Sequence, residues 1–210
     1  MNFNSLAKAL LEMRALRLGD FTLPNGRRSF YDIDLRLIPS YPDTYTTVLA
    51  AFVELVEGVG ANKFDTIAGV ATAGVTISSP LAIMLKKPMM YVRKQGEGRG
   101  QDGLLEGISA PGSRVLIVDD LVSTGTSIVS AAGALRKKGY RVTDAAVLVD
   151  RLEGGKENLA TIGVNLSSYA SIKNLLQALR QMKLAKSSQV KTILEQAGAH
   201  RRAQKAIGSP

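Results

Sequence analysis

Apolar residues recur at two spacings along this chain, and the spacing changes from segment to segment. From Asn2 to Leu16 the apolar positions Leu6, Ala9, Leu10, Met13 and Leu16 fall at helical spacing, which predicts an amphipathic helix ended by Gly19. Phe21 to Leu35 reads as two strands about a Pro24-Asn25-Gly26 turn, the second running from Ser29 to Leu35. Pro39 and Pro42 bracket a break. Thr44 to Val59 is a long helix, with Val48, Leu49, Phe52, Val53, Leu55 and Val56 as its apolar residues.

A strand–turn–helix rhythm then repeats. Thr66 to Val70 is a strand, Gly74 opens a turn, and Ile77 to Leu85 is a helix. Met89 to Val92 is the next strand, and a glycine-rich, charged excursion follows from Arg93 to Gly107. Arg114 to Val118 and Val142 to Val149 are strands, with the helix Ile128 to Lys138 between them. A short helical turn at Asn158 to Ala160, a strand at Val164 to Ser168 and a helix at Ile172 to Met182 complete the order. Alternation of this kind predicts an α/β fold, a central parallel sheet flanked by helices. The opening helix and strand pair form a small N-terminal hood, expected over the carboxyl ends of the strands, where open α/β sheets bind ligands. The expected divisions are a hood over 1–42, a core over 43–182 and a basic tail over 183–210.

Composition narrows the chemistry. The chain has 210 residues, 45% of them hydrophobic, which suits one α/β domain. It has no cysteine and a single histidine, His200, so thiolate chemistry, disulfides and a histidine triad are excluded across the main body. No signal pattern opens the chain and no apolar run reaches membrane-spanning length, so a cytoplasmic protein without a membrane partner is expected. The net charge of +9 is uneven: Arg180 to Pro210 holds seven Lys/Arg against one acid, Glu195, and so carries +6 of it. No aromatic residue interleaves those charges as nucleic-acid stacking would require, so a solvated helical end is the expectation and nucleic acid is not.

Val115 to Ser127 is the most informative stretch. Four apolar residues end in Asp119 and Asp120, then Leu121, Val122, Ser123, Thr124, Gly125, Thr126 and Ser127 lead into a helix. Backbone N–H groups at that helix start, with four hydroxyls, can wrap a phosphate monoester. The two carboxylates sit where ribose hydroxyls, or a magnesium ion on them, would lie. An ordinary capped turn explains one hydroxyl but not the acidic pair. The second stretch is Tyr91 to Gly107. Arg93 and Lys94 end a strand and Arg99 sits among five glycines between 96 and 107, an arrangement suited to mobile cations closing over a diphosphate.

These motifs resemble those of the type I phosphoribosyltransferases, and their combination is similar to orotate phosphoribosyltransferase. Leu18-Gly-Asp-Phe-Thr-Leu23, Ile33-Asp-Leu-Arg36 and Val149-Asp-Arg-Leu-Glu-Gly-Gly155 agree with that family's order, and the resemblance spans roughly residues 6 to 182. It implies transfer of ribose 5-phosphate from phosphoribosyl diphosphate to orotate, in pyrimidine biosynthesis. It implies that Asp119 to Ser127 bind the ribose 5-phosphate, and that Thr72 and Ala73 lie in the diphosphate turn. Arg93, Lys94 and Arg99 would face the diphosphate, and Ser123, Arg151 and Asn25 would contact orotate. Lys94, Arg99, Asp119 and Asp120 would carry catalysis. It further implies Mg2+ carried on the substrate, with no protein metal site, and a homodimer with shared active sites. Where the family usually has lysines, this chain has Pro24 and Glu97; Arg99 and Arg27 or Arg28 are the candidate replacements. Asp34 and Arg36 read as a local ion pair holding the hood. A purine- or uracil-using relative is disfavoured, because Arg151 matches a carboxylate that those bases lack. A non-catalytic phosphoribosyl-diphosphate-sensing regulator on the same fold is the alternative, although the single N-terminal helix leaves no room for a helix-turn-helix.

Overall fold

Runs of consecutive buried residues identify the strands that lie between two helical layers. Strand β3 (Thr66–Val70) is buried at every position, as are Val115 to Asp119 of β6 (Arg114–Val122) and Ala145 to Asp150 of β7 (Arg141–Asp150). Such runs require helices on both faces. The structure, a computed structural model, describes residues 1–22, 26–60, 62–93 and 104–207, without the side chains of 205–207.

Six strands form the main sheet in the order β5-β4-β3-β6-β7-β8, adding β4 (Met89–Val92), β5 (Leu105–Glu106) and β8 (Asn165–Ser171). All pair in parallel except β5, which runs antiparallel to β4 at the edge. Alternate residues face opposite layers, as the pleat demands. Leu116 and Val118 of β6 join a core with Phe52 of α2 (Pro42–Val59), Leu81 of α3 (Ala73–Leu85) and Leu175 of α6 (Ile172–Gln181). Val115 and Ile117 join the opposite core, with Ile128 and Leu135 of α4 (Thr126–Lys137) and Leu159 of α5 (Gly155–Thr161). Each such fully buried side chain contributes about 1.5–3 kcal/mol.

The hood is α1 (Phe3–Glu12) followed by the antiparallel pair β1 (Leu16–Thr22) and β2 (Arg28–Ile33). A last helix, α7 (Ser187–Ile207), buries Val190, Ile193 and Ala197 and hydrogen-bonds to β2 through Gln196. The tail is therefore helical, as expected, but one face is packed rather than solvated. Among the described residues no helix is long and apolar enough to cross a membrane.

Several expected boundaries move. The first helix stops at Glu12, because Arg14 takes a left-handed conformation (φ 57°). Leu16 keeps its burial as the first residue of β1, and Gly19 lies inside that strand at a register irregularity. The periodic pattern continued because a buried strand residue satisfies it as well as a helical one does. Leu35 leaves the second strand for a 3₁₀ helix (Leu35–Ser40), which starts where the Asp34 carboxylate accepts from the Arg36 N–H. Helix α3 starts at Ala73, before Gly74, and β6 runs on through Asp119 and Asp120 to Val122.

Candidate active site

The chain passes from β3 outward to β4 and returns on the other side of β3 as β6. The crevice at the carboxyl ends of β3 and β6 is thus the topological switch point, where such sheets bind ligands. A cavity of about 310 Å³ opens there, lined by Thr72 and Ala73 from the turn after β3 and by every residue from Asp119 to Ser127. The hood closes it with Ile33, Asp34 and Arg36.

Local geometry fits this cavity to a phosphorylated sugar. Gly125, at φ 82°, precedes α4 and offers no side chain to cap it. The first-turn N–H groups of Thr126, Ser127 and Ile128 are thereby left for a ligand or water. Thr124 and Thr126 hydroxyls lie 3.0 Å apart, and Asn158 donates to the Thr124 carbonyl at 2.9 Å, holding the loop to α5. A methyl on Gly74 would stand 2.5 Å from the Val118 carbonyl oxygen, so only glycine lets the start of α3 press against β6 beside Asp119. The Ala71–Thr72 peptide is cis.

Asp119 is buried and Asp120 half-buried. Each accepts from the next backbone N–H, Asp119 from Asp120 at 2.9 Å and Asp120 from Leu121 at 2.8 Å. Burial raises the Asp120 carboxyl above the usual carboxylate range, against the lowering effect of the Leu121 N–H. Asp34 goes the other way. Its hydrogen bonds from Arg36, at 2.7 and 2.8 Å, hold it below that range.

Two further cavities adjoin. One, of about 430 Å³, is lined by Thr72, Tyr91 and Arg93 on the β4 side. Arg93 is held there by its N–H on the Leu104 carbonyl at 2.7 Å and by an ion pair with Glu106 at 3.3 Å. The other, of about 590 Å³, lies under the hood and carries Arg17, Arg27, Arg36 and Arg151 with Asp32, Asp34 and Glu153. Arg151 sits over the Tyr31 ring, 4.7 Å from its centroid, and donates through Nε to the Tyr31 hydroxyl at 2.8 Å and to Glu153 at 3.0 Å. Burial pushes the Tyr31 phenol well above its ordinary value, so it stays neutral at physiological pH.

The structure thus brings together Thr72, Ala73, Asp119 to Ser127, Arg93 and Arg151 in three adjoining cavities, with Ser123 and Arg36 lining both the switch-point and the hood cavities. Lys94, Arg99 and Asn25 lie outside the described residues, as do Pro24 and Glu97. Among the described residues no group of three or more His, Asp or Glu side chains could hold a metal. Sequence reasoning placed Arg36 and Asp34 in a hood ion pair, which forms at 2.7 Å, but missed that the pair borders both cavities. It also missed Tyr31, which meets Arg151 from a distant segment, and Glu153, which pairs with Arg151 nearby and with the distant Arg27; an acid two residues after Arg151 was the available signal.

Comparison with known proteins agrees with this geometry. A family model described as a phosphoribosyl transferase domain matches residues 42–173. A protein of Sulfolobus acidocaldarius called orotate phosphoribosyltransferase is 39% identical over 186 residues, 89% of this chain and 92% of that one. The crystal structure of orotate phosphoribosyltransferase from Aeropyrum pernix superposes with a TM-score of 0.73 at 40% identity, covering 83% of this chain and 99% of that one. A UMP synthase of Leishmania donovani superposes with a TM-score of 0.82 at 33% identity; 93% of this chain covers 42% of that longer protein.

Proposed function

Since the chain belongs to the phosphoribosyltransferase family, alongside its orotate phosphoribosyltransferases, we propose that it transfers ribose 5-phosphate from phosphoribosyl diphosphate to orotate. The products are orotidine 5'-phosphate and diphosphate, a step of pyrimidine biosynthesis. The observation that carries this reading is that two cavities share Ser123 and Arg36 in their linings. One holds the hydroxyl-rich loop and acidic pair, and the other holds the buried guanidinium of Arg151.

Roles follow from chemistry. The loop from Ser123 to Ser127 receives the 5-phosphate on the first-turn amides of α4. Asp119 and Asp120 accept hydrogen bonds from the ribose hydroxyls and face the positive charge that develops on the ring as the glycosidic bond lengthens. Arg93 with Thr72 binds the departing diphosphate, joined by Lys94 and Arg99. Arg151 binds the orotate carboxylate, because a planar guanidinium pairs with it in two parallel hydrogen bonds. No protein nucleophile is needed; rate comes from holding both substrates in line and excluding water. The two aspartates offer too few ligands for an all-protein cage, which fits Mg2+ held mainly by substrate oxygens and water. When bound, Mg2+ neutralises charge on the diphosphate. We also propose that it works in the cytoplasm as a homodimer with shared sites.

A panel of orotate, uracil, adenine and hypoxanthine, each with phosphoribosyl diphosphate and Mg2+, tests the reading by diphosphate release. Release with orotate alone, lost in Arg151→Gln, is the expected result. Equal release with a base lacking a carboxylate would contradict it.

A further inference from the structure

Glu153 is the most deeply buried charged side chain among the described residues, at 2% exposure. Burying a carboxylate is costly unless it is paired, and here two guanidinium groups pair with it. One oxygen accepts from Arg151 Nε at 3.0 Å and lies 3.0 Å from Arg151 Nη2; the other accepts from Arg27 Nη2 at 2.9 Å. One negative charge thus meets two positive ones, and the Tyr31 hydroxyl steadies Arg151 without adding charge. Arg27, Arg151 and Glu153 all border the hood cavity.

A third partner comes from the far end of the chain. His200 of α7 places Nδ1 3.4 Å from Arg27 Nη2 and 3.9 Å from the Glu153 carboxylate. One helical turn earlier, on the same face, Gln196 accepts from the Phe30 N–H at 3.1 Å and donates to the Arg28 carbonyl at 2.7 Å. Gly154 lets the helix come close, since a methyl there would stand 3.2 Å from Gln204 Cβ. Helix α7 therefore meets both the hood strand and the turn after β7, the two segments that supply Arg27 and Arg151.

We infer that α7 positions the base-binding arm. Gln196 and His200 fix Arg27 and Glu153, and these hold the Arg151 guanidinium, so the helix sets affinity for the carboxylate of the acceptor base without touching it. Gln196 and His200 are positioning residues, not catalytic ones. The inference rests on the proposed function for the identity of the base.

The test combines steady-state kinetics with hydrogen exchange on Gln196→Ala, His200→Ala and His200→Asn. In both alanine variants the KM for orotate should rise about 3- to 10-fold, the effect of losing one hydrogen-bonding partner. The kcat and the KM for phosphoribosyl diphosphate should stay within about two-fold, and His200→Asn should recover most of the loss. Backbone exchange over residues 28–33 should quicken about ten-fold in the alanine variants, with β6 unchanged. An unchanged orotate KM would overturn the inference, as would kcat and both KM values worsening together with faster exchange in β6. If the wild-type chain uses no orotate, the function reading fails and the exchange result decides alone: faster hood exchange supports the positioning role, and unchanged exchange overturns it.

Discussion

At Asp120 the proposed role and the stability of the fold pull in opposite directions. Burial raises its carboxyl pKa, so the folded state binds a proton more tightly than the unfolded state does. With the folded pKa above the unfolded value, stability falls as pH rises between the two and stays reduced at neutral pH. Asp120→Asn keeps an oxygen for the Leu121 N–H and removes the charge. It should raise the melting temperature at pH 7, by roughly 2–4 °C for each kcal/mol relieved, while transfer activity falls by about 10²–10³. A lower melting temperature would contradict the assignment of desolvation as the dominant effect. His200 works with the opposite sign. Burial first, then the Arg27 charge, lowers its pKa, with Glu153 opposing and Arg151 adding to the effect. The neutral imidazole is favoured by folding, so stability is full above the unfolded pKa and is lost as pH falls through the folded one. Thermal melts of wild type and His200→Asn from pH 7.5 to 5 should show a shallower loss in the variant; parallel curves would remove His200 from the acid response. On the diphosphate side, Lys94→Ala should lower the rate by about 10²–10³, and an unchanged rate would remove Lys94 from the site.

At the scale of elements, the site depends on how closely backbones approach. Helix α3 rests on β6 at Gly74, where a methyl meets the Val118 carbonyl at 2.5 Å. Gly74→Ala should therefore destabilise the fold by about 1–3 kcal/mol and raise the KM for phosphoribosyl diphosphate, both readable in one melt and one titration. The same scale shows what was legible in the sequence. Strands β3 and β4 match their apolar runs to the residue, because a continuous apolar stretch bounded by turns marks a strand whether every position is buried, as in β3, or every second one, as in β4. The loop from Ser123 to Ser127 was legible as one unit because its residues are consecutive, and they line one cavity. The start of α3 was not, since Ala73-Gly-Val-Thr76 lacks amphipathic periodicity and is helical through tertiary packing. Strand β5 is two residues long and pairs only at the sheet edge, too short to leave a pattern. The Glu153–Arg27–His200 contacts join residues 126 and 47 positions apart, which no local period reports.

At the scale of the whole molecule, a doubly covered, mainly parallel sheet and a hood meet at one crevice, and the C-terminal helix packs against the hood strand. On the proposed reading, the sheet carries the sugar-phosphate side and the hood, with the turn after β7, carries the base side. A shared-site homodimer makes a testable demand. Mixing Lys94→Ala chains with Asp119→Ala/Asp120→Ala chains should restore about a quarter to a half of wild-type activity if one subunit's loop completes its partner's site. No recovery in verified heterodimers would show that each site is self-contained. The central claim, that this crevice moves ribose 5-phosphate onto orotate, is tested most directly by the loss of orotate's ultraviolet absorbance with phosphoribosyl diphosphate and Mg2+. Steady loss in the wild-type chain, abolished in Asp119→Ala/Asp120→Ala, is the result expected; no loss from a folded chain that binds phosphoribosyl diphosphate would contradict it.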